Sequence, residues 1–300
     1  MKIEASMGRA RALSTAMAAL CPLTGFLTSA GRAAQAGEVP ARPRLWWTLT
    51  VPPDNPQPPD NPPPPANEPA PRPAPAPLLT VAGVSRRYGD RAALQPLDLT
   101  LAAGQCVAVL GANGSGKSTL LRIAAGRDTP TTGRVSYGGR TLSEDDPVVR
   151  TEIAVVGDLV SAYPDLTVRE HLQLVAVAHG EGHLAAGLVD RALAECRLED
   201  HGGALPGSLS SGQLQALQLA TVLVRPLRLM VLDEPEQRLD PAARRWLAGL
   251  LRGEKDAGAA ILLATHHTEL AAAVADHVIL LSDGAVTAEG PPDVTLAALR

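Results

Sequence analysis

Cys106-Val-Ala-Val-Leu-Gly-Ala-Asn-Gly-Ser-Gly-Lys-Ser-Thr-Leu-Leu121 decides how the rest of the chain is read. Cys106 to Leu110 is an uninterrupted apolar run, the pattern of a strand buried on both faces. Gly111 to Ser118 then fits G-x-x-x-x-G-K-[ST] at every fixed position. Gly111, Gly114 and Gly116 allow a tight bend, so that backbone N–H groups around Asn113 and Ser115 turn inward on an anion. A helix starting near Lys117 and running on through Thr119 points its positive end at the same place. Lys117 supplies a full charge suited to the outer phosphates of a nucleoside triphosphate, and the Ser118 hydroxyl suits Mg²⁺.

Downstream, Leu229-Met-Val-Leu-Asp233-Glu234-Pro235 is a second buried strand, ending in two carboxylates. A strand that delivers Asp233 at its carboxyl end places it beside the phosphate loop, where a metal ion would sit. Glu234, one residue on, is placed to reach a water aligned on the terminal phosphate. Two more apolar strands follow. Ala260 to Ala264 ends in Thr265-His266-His267, and His277 to Leu281 ends in Ser282-Asp-Gly. Ile153-Ala-Val-Val156 is another, ending in Gly157-Asp158. Strands that alternate with helical segments predict an α/β fold with a mostly parallel sheet covered on both faces.

Leu78 to Leu101 reads differently. Alternation through Leu97, Leu99 and Leu101, with turns at Gly89-Asp90 and Ala103-Gly104, predicts short antiparallel strands. Tyr88 lies at that turn. It is either a ring that stacks on a base or a surface tyrosine. Thr167-Val-Arg-Glu170 fits a capping box before a helix, and Leu188, Ala192, Leu193 and Cys196 share one helical face. Leu166 to Leu205 is therefore mostly helical. Leu209-Ser-Ser-Gly-Gln213 opens a further helix.

The chain has 300 residues and a net charge of −4, which leaves no basic footprint, so no nucleic acid is expected as partner. Cys21, Cys106 and Cys196 share no metal-ligand spacing, which fits a reducing compartment. Residues 51–77 are more than half proline and read as an extended linker, spanning about 80 Å at roughly 3.1 Å per residue. Residues 1–50 read as a disordered or signal-like extension: Arg9 and Arg11 precede a mildly apolar stretch, Ala12 to Leu27, which resembles a secretory signal peptide although Pro22 and Gly25 interrupt it. Three readings of that extension stand: a disordered tail, a start placed too far upstream, or a weak membrane-surface anchor. The globular domain is then 78–300.

With these motifs in order, the chain resembles the ATP-binding subunit of an ABC transporter from Leu78 to about Gly290. The phosphate loop is Gly111 to Ser118. The family's LSGGQ signature stands as Leu209-Ser-Ser-Gly-Gln213, the Walker B strand as Leu229 to Asp233, the D-loop as Gln237-Arg-Leu-Asp240, and the switch histidine as His266. The resemblance implies a P-loop NTPase core joined to a small antiparallel β subdomain and a helical subdomain, about 166–223. It implies ATP and Mg²⁺ as cofactors, with Ser118, Asp158 and Asp233 around the metal, Glu234 as catalytic base and His266 on the terminal phosphate. In the family context Tyr88 is expected to stack on adenine, and His267 to be a surface histidine. Two such domains, as a homodimer or heterodimer, would pack head to tail. Ser210, Ser211, Gly212 and Gln213 of one would then face the phosphate loop of the other, near Asp240.

Three positions depart from the family pattern. Asp158 stands where a glutamine meets Mg²⁺, Ser211 replaces a glycine, and Leu214-Gln-Ala-Leu217 is neutral where basic residues are usual. The function implied is ATP hydrolysis powering transport through a separate transmembrane permease subunit, from the cytoplasmic face of the cell membrane. A non-transport ABC ATPase acting on nucleic acid or ribosomes, and an ATP-binding subunit with weak hydrolysis, are the alternatives. Lys117→Ala is expected to weaken nucleotide binding at least about tenfold in an equilibrium titration, since a charge-assisted contact to phosphate contributes roughly 1.5–3 kcal/mol. Unchanged affinity would contradict the reading of the loop.

Overall fold

The computed structural model describes residues 77–143, 145–157 and 162–297. The extension over 1–50, nearly all of the proline-rich stretch and Asp158 lie outside the described residues. Two sheets make the frame. β1 (Pro77–Tyr88), β2 (Arg91–Ala102), β4 (Thr132–Tyr137) and β5 (Arg140–Thr141) form an antiparallel sheet in the order β2-β1-β4-β5. The second sheet has the order β10-β9-β3-β8-β7-β6, built from β3 (Cys106–Leu110), β6 (Ile153–Val156), β7 (Leu229–Asp233), β8 (Ala260–Thr265), β9 (His277–Ser282) and β10 (Ala285–Gly290). Every pairing in it is parallel except β9 with β10.

The apolar runs explain the layering. Side chains alternate across a strand, so a run with no polar position must be covered twice. Met230, Leu232, Ile261 and Leu263 enter one core. Val231, Leu262 and Ala264 enter another, on the opposite face. The second core is closed by β1 and β2, through Leu79, Val81, Leu99 and Leu101, and by helix α1 (Lys117–Ala124). Leu120 and Ile123 of α1 are fully buried there, so the helix that follows the phosphate loop is clamped between the two sheets.

On the first face lie α3 (Val168–Ala178), α4 (Ala185–Glu195), α5 (Ser211–Leu223) and α6 (Pro241–Asp256). Short helices α2 (Pro147–Glu152), α7 (Thr268–Val274) and α8 (Pro292–Thr295) are the other α-helices among the described residues. The Thr167–Glu170 capping box opens α3 as its sequence predicts. Helices α3 to α5 do not have a core of their own. Leu172, Leu193 and Leu217 belong to the same cluster as sheet residues Met230 and Leu232.

Some expectations change. The lead-in strands are not short: β1 and β2 are each 12 residues long and keep pairing through several register shifts. Pro77 already belongs to β1. The hairpin strand β10 follows the Asp283-Gly284 turn and has no apolar run to mark it. Cys106 and Cys196 are free and buried, and burial pushes the Cys106 thiol up to about 12, which leaves it unreactive. No helix among the described residues is long and apolar enough to cross a membrane. Leu172→Ala, which hollows the shared core under α3, is expected to cost about 2–5 kcal/mol of unfolding free energy. Chemical denaturation would measure it, and a loss below about 1 kcal/mol would mean that this face is not tightly packed.

Candidate functional site

Register builds the site. β3 lies between β8 and β9, with Leu110 opposite Thr265. β7 lies on the far side of β8, with Asp233 opposite Ala264. The residues after these strands, Gly111, Glu234 and His266, therefore emerge together at the carboxyl edge of the sheet, where ligands bind in open α/β sheets.

The loop from β3 to α1 is tightly fitted. A side chain at Gly111 would run into the Leu281 carbonyl and the Ser115 hydroxyl. Gly116 has φ of 106°, and a Cβ there would stand 2.7 Å from the Ala93 carbonyl. Gly116 is also the N-cap of α1, with no side-chain cap hydrogen bond. The first-turn N–H groups of α1 are thus left for another acceptor. Ser115 and Thr119 are buried, whereas Asn113, Gly114 and Ser118 are exposed. The buried Ser115 hydroxyl has no hydrogen-bond partner among the described residues.

Lys117 is only 4 % exposed. Its ammonium donates to the carbonyls of Gly111 (2.8 Å) and Ala112 (3.2 Å) and pairs with Glu234 Oε1 at 3.3 Å. Glu234 Oε2 accepts from the Gln237 amide at 2.8 Å and lies 3.3 Å from His266 Nδ1. Burial pushes the Glu234 carboxyl upward, but the Gln237 amide, the Lys117 ammonium and the His266 ring together hold it below its usual value. The backbone of Glu234 is left-handed, with φ of 47°, which costs a residue with a side chain about 1–2 kcal/mol. Hydrogen bonds from Glu234 N to the Ala264 carbonyl (2.9 Å) and from Gln237 N to the Glu234 carbonyl (3.2 Å) hold that turn.

These groups surround a cavity of about 500 Å³, lined by Tyr88, Arg91, Asn113, Gly114, Gly116, Lys117, Ser118, Thr119, Arg122, Asp233, Glu234 and Gln237. Three cations face it, as a polyanion requires. Ser118 and Asp233 bring hard oxygen donors to the same wall, which fits Mg²⁺. Tyr88 stands at the rim at the end of β1. Its hydroxyl donates to Asp128, and Arg86 covers its ring at 4.5 Å. Sequence reasoning passed over Arg91 and Arg122, since isolated arginines near a turn and on a helix give no pattern. It places Gln237 in the D-loop but does not foresee its hydrogen bond to Glu234, although the three-residue spacing is visible.

Other expected residues stand apart from this cavity. Ser210 is the N-cap of α5, its hydroxyl accepting from Gln213 N (3.3 Å) while Gln213 Oε1 accepts from Ser210 N (2.8 Å). Ser210 and Ser211 are exposed, and Gly212 lies near the Arg238 carbonyl. None of Ser210 to Gln213 lines the cavity of their own chain. Asp240 caps α6 by accepting from Ala243 N at 2.7 Å. His267 is not the plain surface histidine expected. It is half-buried, stands at the N-cap position of α7 without a side-chain cap hydrogen bond, and is bonded through Nε2 to Arg244 at 3.1 Å.

A glycine loop between a buried strand and a helix, with lysine inside it and two carboxylates at the end of the strand one place beyond its neighbour, defines a P-loop nucleotide-binding protein. The ABC transporter family profile matches residues 94–237. The Nod factor export ATP-binding protein I of Cupriavidus metallidurans is 34 % identical over 216 residues, covering 72 % of this chain and 71 % of that protein. The same-named protein of Burkholderia lata is 35 % identical over 210 residues, covering 70 % and 69 %. A solved ATP-binding subunit of an ABC transporter is 32 % identical with a TM-score of 0.66, covering 74 % of this chain and 93 % of that one. CbiO1 of Clostridium perfringens, part of the ABC transporter complex cbiONQ, is 27 % identical with a TM-score of 0.67, covering 74 % and 91 %. The chain belongs to the ABC transporter family as an ATP-binding subunit, which hydrolyses ATP to power transport.

The lowered Glu234 carboxyl links stability to pH. A folded-state pKa below the unfolded one stabilises the fold above the usual carboxylate range, and the contribution is lost as pH falls through the depressed value. The stability difference between the parent and Glu234→Gln is expected to shrink on acidification from neutral pH, read by denaturant melts across pH. A difference constant from neutral to strongly acidic pH would refute the pairing.

Proposed function

We propose that Glu234 is the general base for attack of water on the terminal phosphate of ATP, with His266 and Gln237 orienting it. The observation that carries this is the Lys117–Glu234 pair at 3.3 Å inside the phosphate-loop cavity. A triphosphate there competes for the Lys117 ammonium, whose charge moves to the outer phosphates. Glu234 Oε1 is then released to accept a proton from water, while Oε2 keeps its bonds to Gln237 and His266. Catalysis of this kind is positioning and charge stabilisation with little covalent work for the protein. Ser118 and Asp233 would hold Mg²⁺, which neutralises charge on the phosphates when bound. Asp158, outside the described residues, is a further candidate for that shell. Tyr88 offers adenine its exposed ring face.

The site also needs a second chain. The N-terminus of α5, with exposed Ser210 and Ser211, presents a hydroxyl and helix N–H groups to solvent and not to its own cavity. A head-to-tail dimer brings Ser210, Ser211, Gly212 and Gln213 of one subunit, with Asp240 beside them, over the terminal phosphate of the other. A homodimer and a heterodimer both meet that requirement. A related solved structure, 25 % identical with a TM-score of 0.65, is described as a dimeric bacterial ABC transporter cassette, which supports this reading. Closure and reopening of the dimer would drive a separate membrane-spanning subunit from the cytoplasmic side of the membrane. The names of the export proteins above support export as the direction.

Glu234→Gln is expected to bind ATP, lower steady-state turnover about 10²–10⁴-fold, and accumulate an ATP-bound dimer in gel filtration. Turnover equal to the parent would show that the base is another group. An ATP-bound protein that stays monomeric would remove the role of Ser210.

A further inference from the structure

Glu236 lies two residues beyond Glu234 and takes no part in the chemistry above. Its side chain is 1 % exposed. One carboxylate oxygen, Oε1, accepts from the Thr265 hydroxyl. The other, Oε2, has no hydrogen-bond partner among the described residues. An unmatched buried polar atom costs about 1–3 kcal/mol, and more when it is charged. A group held at that cost points to a missing ligand or proton.

Two histidines stand against it. One ligand atom from each of Glu236, His266 and His267 lies within 4.8 Å of the other two. The imidazole rings have centroids 4.2 Å apart, tilted by 38°. Thr265 ties the cluster together, because its hydroxyl also accepts from His267 N at 3.0 Å. The acid and the turn carrying both rings are therefore held in one network at the end of β8.

We propose that Glu236, His266 and His267 form a binding site for a divalent transition cation of the Zn²⁺ kind, distinct from the site for the nucleotide's Mg²⁺. Two imidazoles and one carboxylate are a known donor set for Zn²⁺, whereas Mg²⁺ prefers oxygen alone. Bonds of about 2.0–2.2 Å in a tetrahedron put ligand atoms roughly 3.3–3.5 Å apart. From the outer limit of 4.8 Å the trio must draw in by about 1.3–1.5 Å. His266, with 47 % of its side chain exposed, has the freedom to do so. Arg244 is the competitor. Its guanidinium holds His267 Nε2 at 3.1 Å and repels an incoming cation.

The site has a consequence for hydrolysis. His266 Nδ1 lies 3.3 Å from Glu234 Oε2, so a cation that takes the His266 ring withdraws it from the base. Zn²⁺ then acts as an inhibitor of turnover. That effect rests on the role given to His266 above; the binding of metal does not.

The test begins with untagged, full-length, nucleotide-free protein titrated with Co²⁺ and with Zn²⁺. One equivalent is expected, with visible Co²⁺ bands of low-coordinate geometry. Glu236→Gln and His267→Asn should each weaken binding by more than about tenfold, the least that loss of an outer partner costs. Arg244→Ala should tighten it. Absence of the visible bands, or parent-like affinity in both ligand variants, overturns the site. Should Glu236→Gln not fold, His267→Asn and Arg244→Ala still decide the matter by their opposite signs. In excess Mg²⁺, Zn²⁺ should inhibit the parent ATPase and leave Glu236→Gln less affected. Equal inhibition of the two would overturn the link to His266 while the titration reports separately on binding.

Discussion

The parallel register of β3, β8 and β7 is the constraint on which this molecule depends. Leu110 pairs opposite Thr265, and Asp233 opposite Ala264. The phosphate loop, the acidic pair and the histidine pair must then leave the sheet along one edge. A one-residue slip would turn every strand side chain to the opposite face. Both faces are buried, and each strand divides its residues between two different cores. Packing and site geometry therefore select the same register.

Charge at that edge is arranged around Lys117. It is nearly buried, so its ammonium needs compensation, and it has two loop carbonyls and Glu234. The same carboxylate is held by Gln237 and lies against His266. Lysine and carboxylate are thus linked before any phosphate arrives. A polyanion that draws on Lys117 alters the surroundings of Glu234 in the same event, which in the proposed mechanism couples occupancy to readiness for proton transfer. The strained turn at Glu234 and the unmatched oxygen of Glu236 lie in this same segment. Departures from local preference concentrate at functional sites because the surrounding fold over-determines them.

The two helix starts show how local chemistry assigns different tasks. The first turn of α1 follows Gly116 and has no side-chain cap. It is wedged between sheets, where its N–H groups face the cavity. The first turn of α5 is closed by Ser210 and Gln213. It stands in solvent away from its own cavity, in keeping with an encounter with a second subunit.

Much of this was readable from residue order. The glycine loop, the acidic strand end, the capping boxes and the apolar strands are local features, in which a few adjacent residues carry the physics. That was enough to set the α/β class and to name Lys117, Ser118, Asp233 and Glu234, whereas His266 was named only through the resemblance to the family. Tertiary structure alone decided what depends on distant segments meeting. It brought Arg91 and Arg122 to the cavity with Lys117 and joined His267 to Arg244. It buried Glu236 beside two histidines, and it merged α3 to α5 with the sheet in one core. Sequence spacing governs neighbours along the chain, whereas charge pairing and burial are settled by through-space contacts between elements tens to more than a hundred residues apart.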